Sequence, residues 1–155
     1  WAGENGFNLM TLPYLYPKLG SLEYFLKSYH EALARAGFDR TDRKILGKFH
    51  IYVSDSLNRA VEEATPYLEN YGMAHAAADP NRTLENLFGD DVKGQMEEGL
   101  IIGGEPERCI DSIHRWREKF GLTTLTGTFH FGGMPQETAL KNIRRFAEDV
   151  MPAFK

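Results

Sequence analysis

The chain has 155 residues, of which 42% are hydrophobic and 26% charged, and its formal net charge at pH 7 is -4. This length supports one domain with a sizeable core, and the composition is ordinary for a soluble globular protein. A weak negative charge gives no field that would attract nucleic acid or an anionic membrane surface, so neither partner is expected.

The sequence lacks the features of a membrane-spanning or secreted protein. No apolar run approaches the roughly 20 residues that span a bilayer. The first residues have neither the basic start nor the apolar stretch of a signal peptide. The single cysteine, Cys109, excludes an internal disulfide and fits a reducing compartment. These features together predict a cytoplasmic protein.

The first part of the chain predicts a strand followed by a helix. "WAGENG" is typical of the last turn of a helix whose start lies outside the chain, because Trp1 is not an initiator Met and no capping residue precedes it. "FNLMTLP" (7–13) then predicts a short buried strand. In residues 21–36 apolar side chains recur every three or four positions, which predicts a helix with Ser21 as its N-cap and Gly37 as its stop.

The middle of the chain predicts a second strand and helix, and then an irregular insertion. Alternating aromatic and β-branched residues in "KFHIYVSD" predict a strand at 48–54. A helical pattern follows over 55–71, and Pro66 inside it should kink the helix or divide it in two. Residues 74–99 contain glycine and proline and show little periodicity, which predicts a helical but irregular insertion on the surface.

The last part predicts two helices with a strand between them. A short apolar turn at 100–102 precedes a helix at 106–120, where Pro106 fits the first turn. The Thr- and Phe-rich "LTTLTGTFHFGG" predicts a strand over 122–131. The final helix, 135–150, is predicted to turn five apolar residues inward: Ala139, Leu140, Ile143, Phe146 and Val150.

Strands and helices therefore alternate along the whole chain. Such alternation predicts parallel strands joined by right-handed crossovers, and so an α/β fold. No repeat, low-complexity tract or linker divides the chain, which indicates a single domain over residues 1–155.

Ligands of parallel α/β sheets bind at the carboxyl ends of the strands. In this sequence those ends are "TLPYLYP", "VSDS" and "HFGGMP". The positions of interest within them are Thr11, Tyr14, Ser54, His130 and Gly132-Gly133. Each also has a structural interpretation, because the hydroxyls can satisfy turn or cap backbone, the histidine can be packed or solvated, and the glycines can form a turn.

No metal site or nucleophile stands out. The five histidines lack the close spacing of metal ligands, and Cys109 lies on the buried stripe of its predicted helix. "GGEPE" (103–107) can place backbone N–H groups at a helix N-terminus, but it lacks the dinucleotide-binding spacing and the lysine of a P-loop. The residues alone therefore predict a parallel α/β protein with no visible catalytic set.

Several stretches, in order, resemble the bacterial luciferase-like flavin monooxygenases. "WAGENGFNLMTLP" is similar to that family's helix after strand five and its strand six, and "FHIYVSDSLNRAVEEA" to strand seven and its helix. The carboxyl-terminal match consists of Gly103-Gly104, Pro106-Glu107, Cys109, Phe120-Gly121, Phe131-Gly132-Gly133 and the final "FAEDVMP". The extra Glu105 before Pro106 departs from the commonest family pattern.

The resemblance implies a fold and a chemistry. The fold is the carboxyl-terminal portion of a TIM (β/α)8 barrel of luciferase-like type, with this chain supplying the last three of eight strand units. The chemistry is that of an oxidoreductase that uses reduced FMN and molecular oxygen on a small organic substrate, with a deazaflavin as the less favoured cofactor. The family's best-known catalytic histidine lies upstream of the position that matches Trp1, so the isolated chain is expected to be inactive.

Together with the rule for parallel sheets, the resemblance gives roles to the strand-end residues. The flavin is expected to contact Thr11, Ser54, Phe131 and Gly132. The substrate is expected to contact Tyr14 and His130. No catalytic residue and no metal ligand is assigned.

An incomplete barrel also implies a partner. Three strands cannot close a barrel, and an apolar sheet face is rarely left in water. The chain is therefore expected to form a homodimer or to join the missing amino-terminal half, unless the insertion at 74–99 folds back over the sheet as a lid. The competing functional hypothesis is a non-catalytic binding or assembly module related to the same barrel.

Overall fold

The structure is a computed structural model that describes residues 1–16, 18–78 and 91–154. Its strands are β1 (Leu9–Thr11), β2 (Ile45–Val53), β3 (Ile102–Gly104) and β4 (Thr124–Thr128). Its helices are α1 (Leu19–Arg35), α2 (Leu57–Ala78), α3 (Val92–Glu98), α4 (Pro106–Phe120) and α5 (Gln136–Arg145). A π-helical turn (Phe146–Val150) and a 3-10 turn (Met151–Phe154) continue α5, and shorter 3-10 turns lie at Pro13–Leu15 and Arg40–Asp42.

Strand β2 is the centre of a sheet in which every pairing is parallel. It pairs with β1, β3 and β4, and β4 covers its middle from Leu46 to His50. The predicted parallel arrangement is confirmed. The sequence predicted only an apolar turn at 100–102. In the structure, the backbone of Ile102–Gly104 pairs with the end of β2 and forms strand β3.

The two edges of β2 carry different neighbours. Successive peptide groups of a strand point to opposite edges, so the even-numbered residues mark one edge and the odd-numbered residues the other. The first residue of β1 donates to Lys44 O, and Ser54 N donates to Gly104 O, so β1 and β3 share the even edge. Thr123 N donates to Ile45 O, which places β4 on the odd edge.

Side chains of β2 alternate between two cores. Odd-numbered residues such as Phe49 and Ile51 pack with α1, α4 and the π-helical turn, where Trp116 is the largest buried side chain. The even-numbered Tyr52 packs in a second cluster with α2 and with Met96 of α3. The sheet is therefore covered on both faces along the carboxyl half of β2.

The amino half of the even-numbered face is open. Met10 is 60% exposed. Thr124 and Thr126, which stand opposite Leu46 and Lys48 in the ladder, are exposed as well. This open area carries hydroxyls and an ammonium group, so it is more polar than the apolar face expected from the sequence.

Residues 1–7 form a helix-ending motif. Gly6 N donates to Gly3 O at 3.1 Å, and Phe7 N donates to Ala2 O at 3.0 Å. Gly6 has a φ of 65°, the left-handed conformation that glycine adopts most readily. This pair of bonds around a left-handed glycine has the pattern of a Schellman motif, and residues 2–6 form turns, so a preceding helix stays a prediction.

The first helix starts earlier than its sequence indicates. Leu19 is the first residue of α1, so Ser21 is not the N-cap. Leu19 N donates instead to Oε2 of Glu98 at 2.6 Å, and the end of α3 thereby caps α1 with a carboxylate that its helix dipole favours. The predicted stop at Gly37 is confirmed, since its φ is 78° and it bonds back to Ala34 O.

Pro66 was expected to kink α2 or to divide it in two, and the division does not occur. The helix continues from Leu57 to Ala78, with Pro66 on its exposed side. Ala60, Ala64 and Leu68 on its opposite side are completely buried, and this packing holds the helix together across the missing N–H.

The predicted insertion at 74–99 is only partly a surface feature. Its first residues belong to α2, and residues 79–90 lie outside the described residues. Gln95 and Met96 of α3 are buried, so this part of the insertion is core rather than surface.

The inward face of the last helix differs from the prediction at two positions. Ala139, Phe146 and Val150 are buried as expected. Leu140 and Ile143 are each 42% exposed, which contradicts the prediction. The fourth buried position is Asn142, a polar residue that apolar periodicity does not identify.

Asn142 replaces a strand residue at the edge of β2. Its Nδ2 donates to Ile51 O at 2.7 Å, and its Oδ1 accepts from Val53 N at 2.9 Å. A residue of a parallel neighbour would use its own N–H and C=O for the same two bonds. Because β4 ends at Thr128, opposite His50, the carboxamide of Asn142 continues the ladder where the strand stops.

We expect Asn142→Ala to lower the free energy of unfolding by about 2–4 kcal/mol, since two buried backbone groups lose their partners. Asn142→Asp should also be destabilising near neutral pH, because a carboxylate can accept from Val53 N but has no proton for Ile51 O. Urea unfolding measures both changes, with the exposed Asn58→Ala as the control. A loss for Asn142→Ala no larger than that of the control would contradict this role.

Candidate functional site

Aromatic rings gather at the carboxyl end of the sheet, in a group called here the aromatic cluster: Tyr14, His50, Tyr71, His75 and Phe131. The centroid of the His50 ring lies 4.4 Å from that of Tyr14 and 4.9 Å from those of Tyr71 and Phe131, with the rings edge to face. His75 stacks at a tilt on Tyr71, with centroids 4.4 Å apart. The cluster joins β2 and α2 to the segments that follow β1 and β4.

His50, at the centre of this cluster, is held neutral. It is 1% exposed. Burial lowers the pKa of its imidazole to about 3, and the nearby charges of Lys48 and His75 act in the same direction. A histidine that does not take up a proton near pH 7 can form hydrogen bonds, but it is not a general acid at that pH.

A polar group at the end of β2 centres on a glutamate, and we call it the Glu63 network. Oε2 of Glu63 accepts from Ser54 Oγ at 2.9 Å, and Oε1 accepts from Arg59 Nε at 2.8 Å. Burial alone would raise the pKa of Glu63, but these two hydrogen bonds outweigh it and lower the pKa. The carboxylate is therefore charged near pH 7, with a donor on each oxygen.

Tyr52 also belongs to the Glu63 network. Burial raises the pKa of its hydroxyl to about 12, and the charge of Glu63, to which it is hydrogen-bonded, adds to that effect. The phenol therefore stays protonated throughout the ordinary pH range and acts as a donor rather than a base.

The Glu63 network borders a cleft of about 580 Å³ between the first half of α2 and α5, at the end of β2. Arg145 donates to Ser54 O at 3.2 Å and pairs with Asp55 at 3.0 Å, which ties α5 to this strand end. The charged residues around the cleft are Asp55, Arg59, Glu63, Glu137, Lys141 and Arg145. Because three are cationic and three anionic, the cleft has no net preference for ions of either sign.

The structure separates the residues that the sequence placed in one site. Tyr14 and Phe131 meet in the aromatic cluster, whereas Ser54 is a member of the Glu63 network. Thr11 shares the face of Leu9, which packs on the core with α1 and α4. Oγ1 of Thr11 is buried and has no hydrogen-bond partner among the described residues.

His130 and Gly132 lie in the segment after β4. The expectation that His130 sits on a strand face is wrong, because β4 ends at Thr128, and the exposed His130 has its Nε2 2.8 Å from Met134 O. Gly132 has a φ of 57°, and a Cβ there would overlap the backbone carbonyl of Tyr67. A glycine is therefore needed at 132 for the segment to approach α2. The roles of both residues toward substrate or flavin stay predictions.

Two central residues, His50 and Glu63, were not identified from sequence as site residues. His50 carries a signal, since it is a polar residue that alternates with Phe49 and Ile51 in a strand. Glu63 carries none, because it is one of several acidic residues on α2, and its position depends on how that helix packs.

Metal and thiol chemistry have little support in the described part of the chain. There, no group of three or more His, Cys, Asp or Glu side chains is placed to hold a metal ion. Cys109 is buried, and that burial raises the pKa of its thiol to about 12, so it is not a nucleophile near pH 7. Within the same residues, no helix has the length and apolar character required to cross a membrane.

Comparison with solved structures finds this fold in two monooxygenases and a reductase. The monooxygenase RslO1 from Streptomyces bottropensis is 24% identical with a TM-score of 0.70, over 99% of this chain and 44% of that chain. The second is the oxygenating constituent of 3,6-diketocamphane monooxygenase from Pseudomonas putida, a type II Baeyer-Villiger monooxygenase in complex with FMN. It is 18% identical with a TM-score of 0.60, over 99% of this chain and 44% of that chain. The coenzyme F420-dependent tetrahydromethanopterin reductase from Methanopyrus kandleri is 19% identical with a TM-score of 0.58, over 99% of this chain and 47% of that chain.

These likenesses confirm the predicted fold class. The chain has the parallel β/α fold of part of each of these structures. It spans less than half the length of the solved structures that it matches. A scan against models of protein families and a search of curated proteins gave no match.

Acid should destabilise the protein through His50. The unfolded chain takes up a proton near pH 6.5, whereas folded His50 does so only near pH 3, so stability falls as pH drops between these values. The loss should approach about 1.4 kcal/mol per pH unit from this one group. We expect His50→Phe to reduce the difference in unfolding free energy between pH 7 and pH 5, as measured by urea titration.

The exposed His130→Gln is the matched control and should keep the pH dependence of the original chain. If His50→Phe and His130→Gln have the same pH dependence, His50 is not the buried neutral group described here.

Proposed function

We propose that the chain is the carboxyl-terminal part of a luciferase-like flavin-dependent monooxygenase, which uses reduced FMN and molecular oxygen to oxidise a small organic substrate. The observation that carries this proposal is the match of 99% of the chain to parts of two monooxygenases and an F420-dependent reductase. One of these is described in complex with FMN and another as dependent on coenzyme F420, so a flavin-type cofactor has support from both, and FMN is the one proposed here. These names describe the neighbouring structures. That this chain belongs to a protein with such an activity is our proposal.

The residues on the even-numbered face fit part of a flavin site. Lys48 and the three threonines of β4, Thr124, Thr126 and Thr128, present an ammonium group and hydroxyls on that face. The aromatic cluster lies on the same face, toward the carboxyl end. A flavin combines a flat ring, a polar ring edge and a phosphate, and these are the kinds of group that would hold it. Among the predicted contacts, Tyr14 and Phe131 would belong to the wall formed by the cluster.

When bound, a reduced flavin supplies the electrons that activate oxygen. The residues of this chain would bind and shield it. Lys48 would bring positive charge to an anionic group, and the aromatic cluster would exclude water from that end of the site. His50 would act as a neutral hydrogen-bonding group, because its pKa of about 3 leaves it unprotonated at pH 7.

Completion of the barrel is part of the proposal. The outer edges of β1 and β4 have no strand partner among the described strands. An eight-stranded barrel that contains β1, β2 and β4 needs five more parallel strands. Copies of a three-stranded unit give six or nine strands, so a homodimer through these edges would not produce eight. The partner that fits both edges is therefore a five-stranded β/α segment with the other half of the site.

A non-catalytic binding or assembly module is the second candidate. It is favoured by Ser54 and Gly132, two expected flavin contacts whose geometry is already explained inside the chain. The hydroxyl of Ser54 is bonded to Glu63, and Gly132 makes room for the Tyr67 carbonyl. In that case the outer edges of β1 and β4 would bind a partner without contributing to a flavin site.

Titration with FMN, and in parallel with coenzyme F420, tests the proposal by quenching of ligand fluorescence. We expect weak, saturable binding with FMN preferred. Lys48→Ala should raise the dissociation constant up to about fivefold, the effect of losing one partly exposed charge. Lys93→Ala, which removes an exposed lysine of α3, should leave it unchanged.

Equal affinities of the Lys48→Ala chain and the unmodified chain would place the flavin elsewhere. The absence of saturable binding by either ligand would favour the assembly module.

A further inference from the structure

Four of the six charged residues around the cleft neutralise one another. Arg145 pairs with Asp55 at 3.0 Å. Arg59 pairs with the same Asp55 at 3.1 Å and with Glu63 at 2.8 Å. Two cations and two anions therefore form one chain of ion pairs across the end of β2, and this chain needs no ligand ion to balance it.

The other two charged residues, Glu137 and Lys141, have no such partners. The side chain of neither forms an ion pair or a hydrogen bond with another described residue. Both are exposed and lie on successive turns of α5, where Cβ atoms four residues apart are about 5–6 Å from each other. The charge of Lys141 contributes to the low pKa of Glu63, so its ammonium group lies on the cleft side of α5. The α5 wall thus presents a carboxylate and an ammonium group side by side.

We propose that this cleft binds a free α-amino acid, with the carboxylate of the ligand on Lys141 and its ammonium group on Glu137. An α-amino acid carries both charges on one carbon atom, so a single molecule complements both side chains. Once the first contact has formed, the second is intramolecular, an advantage that two separate ions lack. A cleft with equal numbers of cations and anions also suits a ligand without net charge.

The rest of the lining favours an aliphatic side chain on the ligand. Val53 and the half-buried ring of Tyr67 supply apolar surface, and the Thr138 hydroxyl can donate a further hydrogen bond to the ligand carboxylate. A volume of about 580 Å³ lies within the usual range of small-molecule sites and leaves room for a side chain as large as that of leucine.

The cleft is separate from the residues proposed to hold a flavin. Neither Lys48, the threonines of β4 nor any member of the aromatic cluster lines it. The proposal therefore does not rest on flavin binding or on completion of the barrel, and its failure would leave both unaffected.

Three ligands that share one side chain test the pairing of charges. They are L-leucine, 4-methylpentanoate, which lacks the ammonium group, and 3-methylbutylamine, which lacks the carboxylate. Titration of each into the chain, followed by amide NMR spectra, should give saturable shifts at residues 137–141 and none at the exposed Lys93. L-leucine should bind about fivefold more tightly than either analogue, because each analogue loses one partly exposed ion pair.

Single substitutions then assign each charge of the ligand. Lys141→Gln should weaken L-leucine about fivefold and leave 3-methylbutylamine unchanged, since that ligand has no carboxylate. Glu137→Gln should weaken L-leucine by a similar factor and leave 4-methylpentanoate unchanged. Lys93→Gln and Glu148→Gln remove exposed charges outside the cleft and are the matched controls.

The proposal would be overturned if L-leucine gave no saturable shifts, or gave them only at residues outside the cleft. Equal affinities for the three ligands would overturn it as well. So would an affinity for L-leucine that is the same in Lys141→Gln and Glu137→Gln as in the controls.

Discussion

The hydrogen bonds along the two edges of β2 are the constraint on which the rest of the fold depends. No single neighbour follows all nine residues of this strand, so each edge is completed in two parts. One edge is shared by β1 and β3, and the other by β4 and the side chain of Asn142. An unpaired buried peptide group costs about 1–3 kcal/mol, so each part of the two edges needs a partner. The hydrogen bonds of Asn142 fix where α5 lies against β2, and this position brings Arg145 to Ser54.

Burial divides the even-numbered face of the sheet into two environments. Toward the carboxyl end, α2 covers the face, and desolvation there keeps His50 neutral and Tyr52 protonated. Toward the amino end, threonines and Lys48 remain accessible. A ligand approaching this face would therefore meet a dry aromatic wall on one side and hydrogen-bonding groups on the other, an arrangement that suits a flat molecule with a polar edge.

Local signals gave correct predictions where the chain's own chemistry decides the conformation. Gly37 ends a helix because glycine adopts positive φ at little cost, and Pro106 begins one because the first turn needs no N–H from it. The parallel sheet followed from the alternation of strands and helices. Errors arose where a distant segment decides: Glu98 caps α1 in place of Ser21, and burial of Ala64 and Leu68 carries α2 through Pro66.

The sequence by itself determined the order of elements, the parallel pairing and the resemblance to a luciferase-like barrel, because periodicity and turn chemistry are written in neighbouring residues. The tertiary structure alone decided which polar residues meet. Ser54 and Glu63 are nine positions apart, and Asn142 is about 90 positions from the backbone groups it satisfies. These contacts arise from the packing of helices on β2, and that packing depends on distant side chains whose positions local patterns do not encode.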